Sequence, residues 1–162
     1  MSVKTITSSH AKIDSMTELI TPAEENRLFE WFEATTGRAW DSLSEAESAV
    51  WKAYLFDLQV QNGGFEQALL NIGDHWQDLL VSLKSIGATK IDEMCQTAAA
   101  VFPGGFPPVA AETRHKQLWA LGQEAKDLLW KLGGDYYDLH KTDPGEDMYS
   151  KMFACLKGEK VL

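Results

Sequence analysis

From Thr21 onward, apolar side chains recur at helical spacing, and no alternating β-type run competes with them. Thr21-Pro22-Ala23-Glu24 combines a capping-box spacing with proline at the first helical position, where a missing N–H does no harm. This predicts a helix to about Thr35, closed by Gly37, with Leu28, Phe29, Trp31 and Phe32 on one side and Asn26, Glu30 and Glu33 on the other. Ser44-Glu45-Ala46-Glu47 offers a second capping box and predicts a helix to about Gln61. That helix carries two apolar stripes, Val50, Trp51, Tyr54, Leu55 and Leu58 against Ala49, Ala53, Phe56 and Val60. A helix apolar on two sides needs two covering surfaces, at the centre of a bundle or, failing that, half in an oligomer interface.

Asn62-Gly63-Gly64 breaks the pattern, because glycine enters left-handed geometry without a Cβ clash and asparagine tolerates it. The stretch reads as helix, sharp turn, helix, with a short helix from Phe65 to Asn71. Asp74 is placed to cap the next helix, which carries Trp76, Leu79, Leu80, Leu83 and Ile86 and stops at Gly87. Another begins near Thr89, aligns Ile91, Met94, Cys95, Ala98, Val101 and Phe102, and meets the breaker Pro103-Gly104-Gly105-Phe106-Pro107-Pro108. A long helix is predicted from about Val109 to Leu132, ended by Gly133-Gly134, and a final one from about Gly145 to Leu156. Residues 1–20 are rich in Ser and Thr without a sustained period, which suggests a mobile arm or a short extra helix ahead of one domain over 21–158. The expected fold class is all-α, a single-domain helical bundle of about six to seven helices.

Charge changes this picture more than composition does. Of the net charge of −9, residues 14–78 hold thirteen acids against three bases, whereas residues 79–162 hold eleven against ten. An acidic half repels nucleic acid and anionic membranes and steers basic partners toward itself, although solubility alone would account for it too. Asp135, Asp138, Asp143, Glu146 and Asp147, around Tyr136 and Tyr137, form a second acidic cluster, read as a solvated loop unless folding joins it to the first. No run approaches the roughly 18 apolar residues of a membrane span, and Met1 to Met16 lacks the apolar block of a secretory signal, so a cytoplasmic protein is expected.

Candidate chemistry is sparse. The four histidines are isolated, and Cys95 and Cys155 have no partner at metal-ligand spacing, so neither a metal nor any other cofactor is expected. His75 and Asp78 sit three apart, as an acid/base pair could, but such pairs commonly decorate exposed helices. No catalytic constellation emerges, which leaves an uncharacterised enzyme as the weakest reading. Trp31, Trp51, Trp76 and Trp119 fall in or beside apolar stripes and are expected in the core, since no basic groove accompanies them for stacking nucleic acid. Within the turn motif, Asn62, Gln67 and Asn71 are amides, unable to act as acids or bases near neutrality. They are expected to cap backbone groups around Gly63-Gly64, with Phe65 anchoring the turn.

Asn62-Gly63-Gly64-Phe65-Glu66-Gln67, with Asn71 and Gly73 after it and Ile86-Gly87-Ala88 downstream, resembles the signature of the bacterial DNA-mimic protein family. The resemblance spans about residues 45–140; it departs from the family at Gln59 and Gln61, usually Glu and Asn, and at Ala68 and Leu69, usually aromatic. It implies an all-helical protein that forms a homodimer and whose acidic surface imitates the phosphates of duplex DNA. The implied partner is a basic DNA-binding protein such as a transcription factor, with no direct contact to nucleic acid. On that implication the partner-binding carboxylates are Glu24, Glu30, Glu33, Asp41, Glu45 and Glu47. An immunity-type inhibitor that blocks a toxin's basic active site is the alternative from another class.

Overall fold

Both capping boxes form. In the computed structural model, which describes residues 19–162, Thr21 opens α1 (Pro22–Thr35) and Ser44 opens α2 (Glu45–Ile72). Each hydroxyl accepts from the backbone N–H three residues on, and Glu24 and Glu47 each accept the cap residue's own N–H in return. The arm or extra helix expected over 1–20 lies, for residues 1–18, outside the described residues. Then follow α3 (Trp76–Ser85), α4 (Thr89–Ala99), α5 (Ala111–Trp119), α6 (Gln123–Thr142) and α7 (Met148–Gly158), making seven α-helices and no strand among the described residues.

The central position expected for the helix around Phe56 is observed: α2 packs against α3, α4, α5, α6 and α7, while α1 lies on α7. Its buried side is Ala49, Val50, Ala53, Phe56 and Val60; Leu58 of the other stripe is exposed, and Trp51, Tyr54 and Leu55 are half-buried. One face of α2 therefore fills the core, and the second stripe is covered in part by α1. Phe56 meets Phe65, Trp76 and Tyr136 edge-on, with ring centroids 5.7, 6.1 and 5.7 Å away. The indole N–H of Trp76 donates to the Cys95 carbonyl at 3.3 Å, tying α3 to α4.

Asn62-Gly63-Gly64 makes the expected turn. Gly63 (φ −159°, ψ 23°) and Gly64 (φ 70°, ψ −167°) leave helical geometry, and the chain resumes as helix at Phe65, which is fully buried. The turn brings Gln59 beside residues eight and twelve positions later: its Oε1 accepts from Gln67 Nε2 at 3.2 Å and from Asn71 Nδ2 at 2.7 Å. Gln67 and Asn71 thus staple the two arms side chain to side chain instead of capping backbone groups.

Other expectations are corrected. The long helix over 109–132 is two helices meeting at a corner, where Leu121 N–H donates to Leu118 O and Gly122 is extended. Leu118 and Leu129 are both buried across that corner, so the apolar spacing runs on through a break it cannot reveal. Gly133-Gly134 does not stop α6 but lies inside it, where the helix passes the backbone of the turn: a Cβ on Gly133 would meet Gly64 Cα at 3.8 Å, an ordinary van der Waals distance. Asp74 does not cap α3, having no hydrogen bond to its first turn. The last helix starts at Met148, where the Asp147 carboxylate caps Ser150 N–H at 2.8 Å. Trp119 is exposed at the end of α5, as is Trp130 on α6.

Candidate partner-binding surface

An aromatic stack fixes the acidic edge of α1. Phe32 lies flat on Tyr54 at 3.7 Å between centroids, Trp31 and Phe32 both meet Trp51, and Phe29 meets Tyr149 of α7 at 5.6 Å. Glu30 and Glu33 are exposed on α1, away from Leu28, Trp31 and Phe32. Beyond Gly37 the chain turns into α2 through a corner clipped by Arg38, whose guanidinium donates to Glu47 Oε1 at 3.0 Å and to Ser42 O at 3.1 Å. Asp41 and Glu45 stand exposed on either side of that clip.

The six carboxylates implied for partner binding divide by what they touch. Glu24 accepts the Thr21 N–H and hydroxyl and faces Lys157 Nζ at 3.8 Å, while Glu47 accepts the Ser44 N–H and pairs with Arg38. These backbone hydrogen bonds hold both carboxyls below their ordinary range, so each stays charged while serving as a cap. Glu30, Glu33, Asp41 and Glu45 have no hydrogen bond and no ion pair among the described residues, leaving their charge to solvent. Burial, with the charges of Asp57 and Glu33 added, raises the Tyr54 hydroxyl.

The second cluster is a loop only in part, since Asp143, Glu146 and Asp147 lie in the connection between α6 and α7. Asp135 and Asp138 lie in α6 and pair with Lys131 and Lys141, Asp143 pairs with Lys90, and Glu146 accepts Lys90 N–H at 3.0 Å and faces Lys151 at 3.7 Å. Its acids are largely matched locally. The His75–Asp78 pair is absent as well: His75 Nε2 lies 3.5 Å from Asp74 instead, on an exposed turn.

Two buried polar residues escaped notice in the sequence. Asp57 is 1% exposed and takes the Tyr136 hydroxyl on Oδ1 at 2.6 Å and the Tyr149 hydroxyl on Oδ2 at 2.8 Å. Burial and the adjacent Asp57 charge push both tyrosines well above their ordinary range. Arg114, 3% exposed, donates to the carbonyls of Leu70, Pro108 and Val109 at 2.6 to 3.2 Å, and so pins the proline-glycine loop to the end of α2. A signal existed for each: Asp57 falls at i+4 from Ala53 and i−3 from Val60, and Arg114 at i−4 from Leu118, on faces otherwise apolar.

The fold and this surface define an all-α acidic protein, without any cluster of three or more His, Cys, Asp or Glu arranged for a metal among the described residues. The chain belongs to the DMP19-like protein family, the DNA-mimic family that its sequence resembles, and matches it over residues 41–154. No curated protein and no solved structure matches it. The matched span takes in Asp41, Glu45, Glu47, Asp57 and the Gly63-Gly64 turn, and begins beyond Glu24, Glu30 and Glu33. No helix among the described residues is long and apolar enough to cross a membrane.

Proposed function

We propose that this protein is a binding module, not a catalyst, and that its acidic surface occupies the basic DNA-binding face of a DNA-binding protein such as a transcription factor. The observation that carries this reading is the set Glu30, Glu33, Asp41 and Glu45, exposed and unpaired among the described residues on elements held by packing and by the Arg38 clip. Duplex DNA presents one charge per roughly 1.7 Å of axis, and Lys and Arg that meet it release counterions. Carboxylates fixed on a rigid corner offer the same basic face a competing field. Glu24 and Glu47 add charge at the two helix starts that frame it. A homodimer would double the array, and the cytoplasm, where transcription factors act, is the setting this role requires.

The test is displacement. A partner captured from the native host is identified, bound to its own DNA site and titrated with this chain. Release of DNA in proportion to the complex formed is expected, and association should weaken steeply up to 0.15 M salt, where the screening length is about 8 Å. Reversing Glu30 and Glu33 together to Lys should slow association while leaving the melting temperature unchanged, because exposed charges steer encounter more than they hold a fold. A captured protein that still binds DNA fully when saturated with this chain, or that is not basic, refutes the proposal.

A further inference from the structure

One cleft brings the two acidic regions together. Asp57, from the acid-rich half, forms its floor, and Tyr136, Tyr137, Tyr149, Glu146 and Asp147 form its walls, around about 260 Å³ of open space. That is room for a side-chain head group, a water's share of liquid volume being about 30 Å³. Three aromatic rings and the Asp57 carboxylate line it, together with Glu146, which faces Lys151 at 3.7 Å and accepts the Lys90 N–H, and Asp147, which caps Ser150. Of the lining side chains only His140 can carry positive charge. We propose that this cleft is a pocket for a guanidinium group, an arginine of the basic partner inserted between the tyrosine rings toward Asp57. This rests on the function proposed above, since it names the group by which that partner would be anchored.

The chemistry is specific. A carboxylate offers about four lone-pair positions. On Asp57 the two tyrosine hydroxyls occupy two of them, and the Gln61 amide approaches a third at 3.4 Å. Neither hydroxyl carries a charge, and no Lys, Arg or His among the described residues pairs with Asp57. A buried carboxylate without a cation is costly to leave unpaired. Gln61 is exposed and makes the longest of the three contacts, so its amide is the group an entering donor displaces. A guanidinium suits the site better than an ammonium because its flat fork donates to a carboxylate while its face stacks on aromatic rings. Tyr137, more than half exposed, supplies such a ring at the mouth.

The experiment uses the full chain, isotope-labelled for NMR, titrated with N-acetyl-arginine amide and, separately, with the citrulline analogue of nearly the same shape and no charge. Saturable shifts are expected at Gln61, Tyr137 and Tyr149 with the arginine probe, and binding weaker by about tenfold or more with citrulline. Asp57→Asn should weaken arginine binding by about tenfold. Tyr137→Ala should also weaken it, and that variant touches none of the Asp57 hydrogen bonds, so it decides the matter alone if Asp57→Asn does not fold. Equal binding of citrulline, unchanged binding by Tyr137→Ala, or shifts confined to Glu30, Glu33, Asp41 and Glu45 would overturn the pocket. Arginine binding by the Glu30→Lys/Glu33→Lys variant should match that of the parent. DNA displacement without arginine binding removes the pocket alone; arginine binding without displacement removes the DNA-mimic role and keeps the pocket.

Discussion

Gly64→Ala isolates the backbone of the family motif from everything around it. At φ 70° and ψ −167° this residue sits in a region open essentially to glycine alone, and a Cβ built there meets nothing within 4 Å. The cost is then conformational strain with no steric term, about 1–3 kcal/mol. The turn has no easy way to relax, because Phe65 beside it is fully buried and Gln59 is bonded to both Gln67 and Asn71 across it. Gly134→Ala is the matched control: it lies inside α6, is exposed, and has equal space around it, so alanine there should stabilise by about 0.5–1 kcal/mol. Urea unfolding at 25 °C, with the slope compared between variants, measures both. Opposite signs are expected; a Gly64→Ala protein within about 0.5 kcal/mol of the parent would show that the positive φ carries no architectural constraint.

Phe56→Ala should cost about 3–5 kcal/mol, since its ring is fully buried within the protomer against three other aromatics. A halved sedimentation mass with little change in melting would place it in an interface instead. Arg114→Met should cost about 2–4 kcal/mol by orphaning the carbonyls of Leu70, Pro108 and Val109, with amide exchange rising first in the 103–110 loop. Arg114→Lys should recover little of this, because an ammonium cannot reach three carbonyls with the geometry of the fork. Raised tyrosine pKa values in the folded state mean stability that is intact below their ordinary value near 10 and falls as pH rises beyond it. Alkaline denaturation should therefore steepen above about pH 10, and Tyr149→Phe should reduce the slope; a flat profile to pH 12 would contradict the buried hydroxyl pair.

Most of the fold could be read from the chain because its signals are local. The capping boxes at Thr21 and Ser44, the turn at Gly63-Gly64 and the stop at Gly87 each need only a few neighbouring residues, and all four occur as expected. What could not be read depends on contacts between distant residues. Gly133-Gly134 looks like a helix stop, yet α6 runs on through it where it passes Gly64. The corner at Gly122 keeps the apolar spacing that a continuous helix would show. Trp119 sits beside an apolar stripe, yet the corner turns it to solvent. Of the candidate surface, the residues were legible but their division was not: the sequence that marks Glu24 and Glu47 as capping acids also counts them as surface charge.

The uneven treatment of acids in the two halves bears on what the surface is for. In the C-terminal half, Asp135, Asp138 and Asp143 each have a lysine within reach, an arrangement that adds only about 0–1 kcal/mol per exposed pair but cancels the field. The N-terminal half cannot do this, having three bases for thirteen acids between residues 14 and 78. Arg38, one of these three, and Arg114, the chief buried cation elsewhere in the chain, both fix loops. Glu30, Glu33, Asp41 and Glu45 are thus left with charge that stabilises little and that no neighbour cancels. Side chains that can be changed without cost to the fold, yet set the field a partner meets, are where binding specificity can vary while the bundle stays the same.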